Sequence, residues 1–207
     1  MNVIPQEIAT KSQERRKQVL DAAAKCFGDL GFHGCSIAKI SQASGMSPGH
    51  IYYHFANKEA IVEALVARQE STLSELIADM ASSPAGEPLA TTLKKQTRRM
   101  VALHTSPHFM GLWLEIAAES MRNPRVAELV QLSHTTMCSR FSEQVLQRAQ
   151  NVDEEESARL RTRLDIIASL FRGLSQHAAL SGHEEDRDHE QLTETINSVI
   201  DLFFAGY

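Results

Sequence analysis

The stretch Ser36 to Phe55, SIAKISQASGMSPGHIYYHF, constrains this chain more than any other, because it packs two helix starts and one helix stop into 20 residues. Ser36 is suited to cap a short helix in which Ile37, Ile40 and Ala43 fall on one face. Gly45 then supplies a turn residue that tolerates positive φ. Ser47 is a second N-cap, and Pro48 fits the first helical position, where its missing N–H is not needed. Two short helices joined by a glycine-containing turn of about four residues read as a helix-turn-helix.

The second of these helices carries the chemistry. Gly49 and His50 lie in its first turn, where small or polar side chains can approach base edges; His50 is the first choice for sequence readout, with Ser47, Pro48 and Gly49 beside it. Tyr52 and Tyr53 point about 100° apart, so they cannot both face inward, and one or both hydroxyls are available to phosphate oxygens. His54 and Lys58, four apart, are expected on phosphate too, while Phe55 is expected in the core. Lys39 on the supporting helix, together with Ser36, and Arg16 near the start of the preceding helix complete the set expected at DNA.

Residues 16–65 resemble the TetR family of one-component transcriptional regulators. The resemblance rests on Ala23, Phe27, Gly31, Phe32, Ser36, Ile40, Ala43, Gly45, Ser47, Ile51, Tyr52, His54, Phe55 and Lys58, and on the Tyr-Tyr-His-Phe run followed by Asn57-Lys58-Glu59. Ser41 and Ser44 stand where the family has small apolar residues, and Met46 where Val is common. The resemblance implies a dimeric repressor released from double-stranded operator DNA by a small molecule. The segment Trp113 to Pro124, WLEIAAESMRNP, is similar to the same region of choline-responsive members, and no ligand is assigned from it.

The rest of the chain reads as helices. Residues 1–11 read as a mobile leader, and Ser12 is the expected cap of a first long helix with Val19, Ala23, Phe27 and Leu30 inward and Gly31 at its end. A helix from Asn57 to about Met80 follows, broken by a Ser-, Pro- and Gly-containing stretch beginning at Ala81. Others are expected from Pro88 to about Leu103, Phe109 to Met121, Pro124 to about Gln150, and past Asp153 to about Leu180. Beyond a charged loop from His183 to Asp188, the last helix runs through Leu192, Ile196, Val199, Ile200 and Phe203. No Val/Ile alternation between turn signals argues for a strand. The expected fold is all-α, with a three-helix DNA-binding domain at residues 1–60 and an effector-binding and dimerisation domain at 61–207.

Charge is divided accordingly. The net charge is −5, yet residues 1–60 hold seven Lys/Arg against five acids, and the remaining 147 hold 14 against 21. The positive end coincides with the helix-turn-helix, and an acidic remainder discourages DNA elsewhere. Three cysteines, Cys26, Cys35 and Cys138, with no C-x-x-C spacing point to reduced thiols in a cytoplasmic protein. No apolar run approaches the roughly 20 residues that span a bilayer, so no membrane partner is expected.

Effector and dimer sites are expected in the later helices. Met100, His104, Phe109, Trp113, Met137, Phe141 and Phe171, with Met110, Met121 and Glu115, suit an apolar pocket with polar handles. Leu164, Ile167, Phe171 and Leu174, and Ile196, Val199 and Phe203, form apolar faces expected to pack on a two-fold mate. His104, His108, His134 and His177 match no compact zinc spacing, and no cofactor is expected. Enzyme motifs such as a nucleophile elbow, a phosphate loop or an H-E-x-x-H helix are absent from the sequence. Competing readings are an architectural DNA-binding protein without an effector, and a metal- or redox-responsive regulator using the histidines or Cys138.

Overall fold

The computed structural model describes residues 5–84, 86–149, 152–180, 188–205 and 207. The expectations for residues 1–4 and for most of the loop at 183–188 lie outside them. Among the described residues the chain forms nine helices: α1 Pro5–Gly34, α2 Ile37–Ser44, α3 Pro48–His54, α4 Lys58–Ala81, α5 Leu89–Thr105, α6 Pro107–Ser120, α7 Pro124–Ala149, α8 Glu154–Leu180 and α9 His189–Phe204. Two compact units result. One comprises Met1–Gln69 and Gly111–Leu132, the other Glu70–Met110 and Ser133–Tyr207. They do not coincide with a cut at residue 60, because Leu112, Ile116 and Val126 join the core built by the first three helices and the start of α4.

In the first unit, Val19, Ala23, Phe27, Ile40, Ile51, Phe55, Ile61 and Leu65 are all buried in one cluster. Each large apolar side chain removed from water there contributes about 1.5–3 kcal/mol. α1 starts at Pro5, not after Ser12: proline suits a first helical turn, and the residues read as a leader continue the helix. Its α-helical path breaks at Gly31, whose φ of 73° no β-carbon residue adopts cheaply. Leu30, expected inward, is 49% exposed, since the stripe of Val19, Ala23 and Phe27 ends one turn earlier. In α2 the inward place expected for Ala43 is taken by Ser44, whose hydroxyl accepts from the Met46 N–H across the turn.

Two of the expected free thiols are bonded to each other. Cys26 and Cys35 form a disulfide with their Cα atoms 5.7 Å apart, which corrects the reading of three reduced cysteines. The break at Gly31 turns the chain back so that Cys35 meets α1 nine residues after Cys26, a proximity that spacing alone does not encode. Cys138 is free, and burial raises its thiol pKa.

In the second unit, α5 packs on α8 and α9 around Leu89, Leu93, Val101, Leu160, Leu164, Ile167, Phe171, Ile196, Ile200 and Phe204. Arg148 donates to the carbonyls of Met80, Ser83 and Pro84, satisfying one acceptor at the end of α4 and two in the stretch that follows it. The expected dimer face needs correction here. Leu164, Ile167, Phe171 and Ile196 are at most 6% exposed in the single chain, buried in its own core, while Leu174, Val199 and Phe203 are half-buried. Among the described residues, the large exposed apolar side chains of α8 and α9 are Ile166, Leu170, Leu180 and Leu202.

Candidate nucleic-acid interface

α2 and α3 are started and stopped by the residues expected to do so. The Ser36 hydroxyl accepts from the Lys39 N–H at 3.3 Å, and Gly45 closes α2 with φ 66°. The Ser47 hydroxyl accepts from the His50 N–H at 3.3 Å and lies 3.1 Å from His50 Nδ1. Each cap contributes about 1 kcal/mol and aligns the first turn of its helix. The turn is further tied by Ser41 Oγ, which donates to the Met46 carbonyl at 2.6 Å, and by Gln18 Nε2, which donates to the Ser44 carbonyl at 2.6 Å. Gln18 was not singled out in the sequence, because a polar residue on a long helix carries no mark of its partner.

α3 is anchored by a single buried side chain, Ile51, with Phe55 at its end also buried. Ser47, Pro48, Gly49 and His50 are exposed, as are Tyr52 at 54% and Tyr53 at 80%. His54 is half-buried, its ring edge-on to Tyr53. Arg16 is exposed and its guanidinium lies 5.0 Å from the centroid of the Phe55 ring, which brings it beside the end of α3. One solvent-facing surface therefore carries the small first turn, two phenols and basic groups. That surface can present donors to base edges and to phosphate oxygens.

Two expected contacts are engaged elsewhere. Lys58 Nζ donates to the carbonyls of Phe32 at 2.5 Å and Cys35 at 3.1 Å, and burial lowers its pKa. Its ammonium is turned to the backbone between α1 and α2, which end-of-helix carbonyls favour, rather than toward a phosphate. Lys39 Nζ donates to the Gly34 carbonyl at 2.9 Å on the surface.

The turn that Lys58 holds also meets α6. Glu115 Oε1 accepts from the Phe32 N–H at 2.5 Å, so this carboxylate, expected as a polar handle in an effector pocket, serves the first unit. Trp113 belongs to the same unit, and Met121 is 85% exposed rather than lining a core. The remaining expected effector residues, Met100, His104, Phe109, Met110, Met137, Phe141 and Phe171, belong to the second unit. There His104 is buried with the Phe109 and Phe171 rings at 5.4 and 5.7 Å. Ser175 Oγ donates to the His104 carbonyl at 3.0 Å and lies 3.0 Å from Nδ1, so its one hydroxyl proton is used and Nδ1 carries the other. Burial, with Arg172 adding to it, pushes the His104 pKa down to about 4. Among the described residues no group of three His, Cys, Asp or Glu side chains is placed to hold a metal, and no helix is long and apolar enough to cross a membrane.

A helix-turn-helix with an exposed second helix, in a chain that is otherwise helical, defines a DNA-binding protein with a helical C-terminal domain. Residues 19–65 match the family described as bacterial regulatory proteins, tetR family, and residues 99–205 match the BetI-type transcriptional repressor C-terminal domain. The chain is 31% identical to the HTH-type transcriptional regulator UidR of Escherichia coli strain K12 over 146 residues, covering 70% of this chain and 71% of UidR. It is 25% identical to the regulator BetI of Paraburkholderia xenovorans over 196 residues, covering 93% and 94%. The structure of Salmonella enterica GusR superposes with a TM-score of 0.66 at 24% identity, over 92% of this chain and 95% of that one. The chain belongs to the TetR family of transcriptional regulators, whose members are not enzymes.

Proposed function

We propose that this regulator is a dimeric repressor whose hold on operator DNA is loosened by a small molecule. The observation that carries the reading is the exposed face of α3, where Pro48, Gly49, His50, Tyr52 and Tyr53 are free for duplex. His50, flanked by Ser47 and Gly49, reads bases. Tyr52, Tyr53, His54 and Arg16 reach phosphates, and Ser36, Lys39 and Lys58 hold the frame that aims them. DNA binding lies in residues 1–60 and effector binding with dimerisation in 61–207, with α6 and α7 lending residues 111–132 to the first compact unit. A dimer places two readers about one helical turn of DNA apart, through α8 and α9 faces that include Ile166, Leu170 and Leu202. The effector is taken by the second unit around His104, Phe109 and Phe171. A coupling of about 1–3 kcal/mol between the two sites lowers operator affinity roughly 5–150-fold. The protein acts in the cytoplasm, where its DNA is.

The test is selection of duplexes from a random-sequence pool by the full-length protein, followed by competition. Enrichment of a two-fold-symmetric sequence that bulk DNA displaces poorly is the expected result. Equal competition by bulk DNA ends the specific-regulator reading in favour of an architectural protein.

A further inference from the structure

The turn that feeds the helix-turn-helix is gripped from α6, and we infer that Glu115 is a positioning residue for sequence-specific DNA binding. The inference rests on the DNA-binding reading above and names a residue outside the helix-turn-helix on which its precision depends.

After the break at Gly31, the N–H of Phe32 has left the regular path of α1, and it is Glu115 Oε1 that accepts from it at 2.5 Å. The carboxylate comes so close that a β-carbon on Gly31 would stand 3.1 Å from Oε1. One turn back on α6, Gly111 meets α1 through backbone: a β-carbon there would lie 3.7 Å from Gly28 Cα. One turn on, Glu119, with only 3% of its side chain exposed, faces His33 Nε2 at 3.1 Å. Three positions of α6 spaced by four residues thus engage Gly28, Phe32 and His33 in order. A cavity of about 10 Å³ between Phe27, Phe32, Val62, Glu115, Ile116 and Glu119 has room for a water at most, so no ligand is assigned to it.

Phe32 is itself 5% exposed, and its carbonyl is taken by Lys58 from α4. Both polar groups of one buried residue are therefore held by opposite charges on two other helices. Four residues later Ser36 caps α2, so the direction in which α2 and α3 leave α1 is set at this point. Reading base edges requires that direction to be right, whereas phosphate contacts to arbitrary DNA tolerate displacement.

The experiment compares Glu115→Ala, Glu115→Gln and the wild type on two probes: the duplex that the wild type selects from a random pool, and a random-sequence duplex of equal length. Glu115→Ala removes the acceptor and is expected to weaken binding to the selected duplex by about tenfold, with binding to the random duplex unchanged. Glu115→Gln keeps an oxygen acceptor and is expected to remain within about twofold of wild type on both. Undiminished binding of Glu115→Ala to the selected duplex overturns the inference. So does an equal loss on both probes, which is what reduced folding alone produces, and so does a Glu115→Gln loss as large as that of Ala. A wild type that does not distinguish the probes overturns the specific-binding reading itself, and the inference with it.

Discussion

Lys58 Nζ donates to the Phe32 carbonyl at 2.5 Å while lying 4.0 Å from the centroid of the Phe32 ring. One side chain thus satisfies the backbone and covers the ring of the residue that follows the break in α1. Lys58→Met keeps the aliphatic stem and removes the ammonium. It is expected to lower stability by about 1–3 kcal/mol, the range for losing hydrogen bonds from a charged donor. The slope of log Kd for DNA against log salt should stay as in the wild type, because no phosphate contact is lost. Denaturant unfolding and a salt titration of fluorescence anisotropy check the two halves; a slope shallower by about one would assign Lys58 to phosphate after all.

Helix ends were legible in the sequence where a cap or a turn residue marks them locally, though not at the start of α1, which runs on to Pro5 past the expected Ser12 cap. Pro124 opens α7 and the acids from Glu154 open α8 where expected, and Ser36, Gly45, Ser47 and Pro48 frame α2 and α3 as read. Partners of charges were not legible, since Glu115 and Phe32 lie 83 residues apart and Lys58 and Phe32 lie 26 apart. Nor does periodicity say which apolar face of α8 meets its own core. Leu164, Ile167 and Phe171 follow helical spacing, and Ile166 and Leu170 do as well; only the placement of α5 and α9 decides between them.

That choice of faces has a direct test. Ile166 is 44% exposed and its neighbour Ile167 only 6%, although the two are adjacent in sequence. Ile166→Asp is expected to leave the fold intact and yield a monomer in sedimentation equilibrium at micromolar concentration. Ile167→Asp buries an unpaired carboxylate and is expected to unfold the second unit or lower its stability by several kcal/mol, of order 3–5. A dimer that survives both Ile166→Asp and Leu170→Asp would move the contact to another surface.

The Cys26–Cys35 disulfide closes a short loop around the break at Gly31. In the chain-entropy account such a loop contributes about 2–3 kcal/mol by restricting the unfolded chain. The native protein should therefore offer one thiol, Cys138, to a mild alkylating reagent without reductant, and three once it is reduced and unfolded. Intact-mass counting of the label checks this, and the paired variant Cys26→Ser/Cys35→Ser should melt lower than the wild type. Three labelled thiols in the unreduced, unfolded protein would show that the bond does not form in solution.

His104 makes acid stability a measure of its burial. In the folded chain its pKa is about 4 against 6.5 for an open imidazole, because its surroundings exclude water and Arg172 adds repulsion. Between those values the unfolded chain binds a proton that the native site refuses. Unfolding is therefore favoured progressively as pH falls from about 6.5 to about 4, and the effect is complete below the lower value. Its size is bounded by about 3 kcal/mol. Ser175 fixes the tautomer rather than the charge, since its hydroxyl proton is committed to the His104 carbonyl and its oxygen accepts from Nδ1–H, a donor in both protonation states. His104→Gln keeps a polar side chain that does not titrate, and carboxylates elsewhere act alike in both proteins. The difference in unfolding free energy between pH 7.5 and 4.5 should accordingly be larger for the wild type than for the variant. Equal differences would mean that His104 is open to water, and hence to protons, in the native protein.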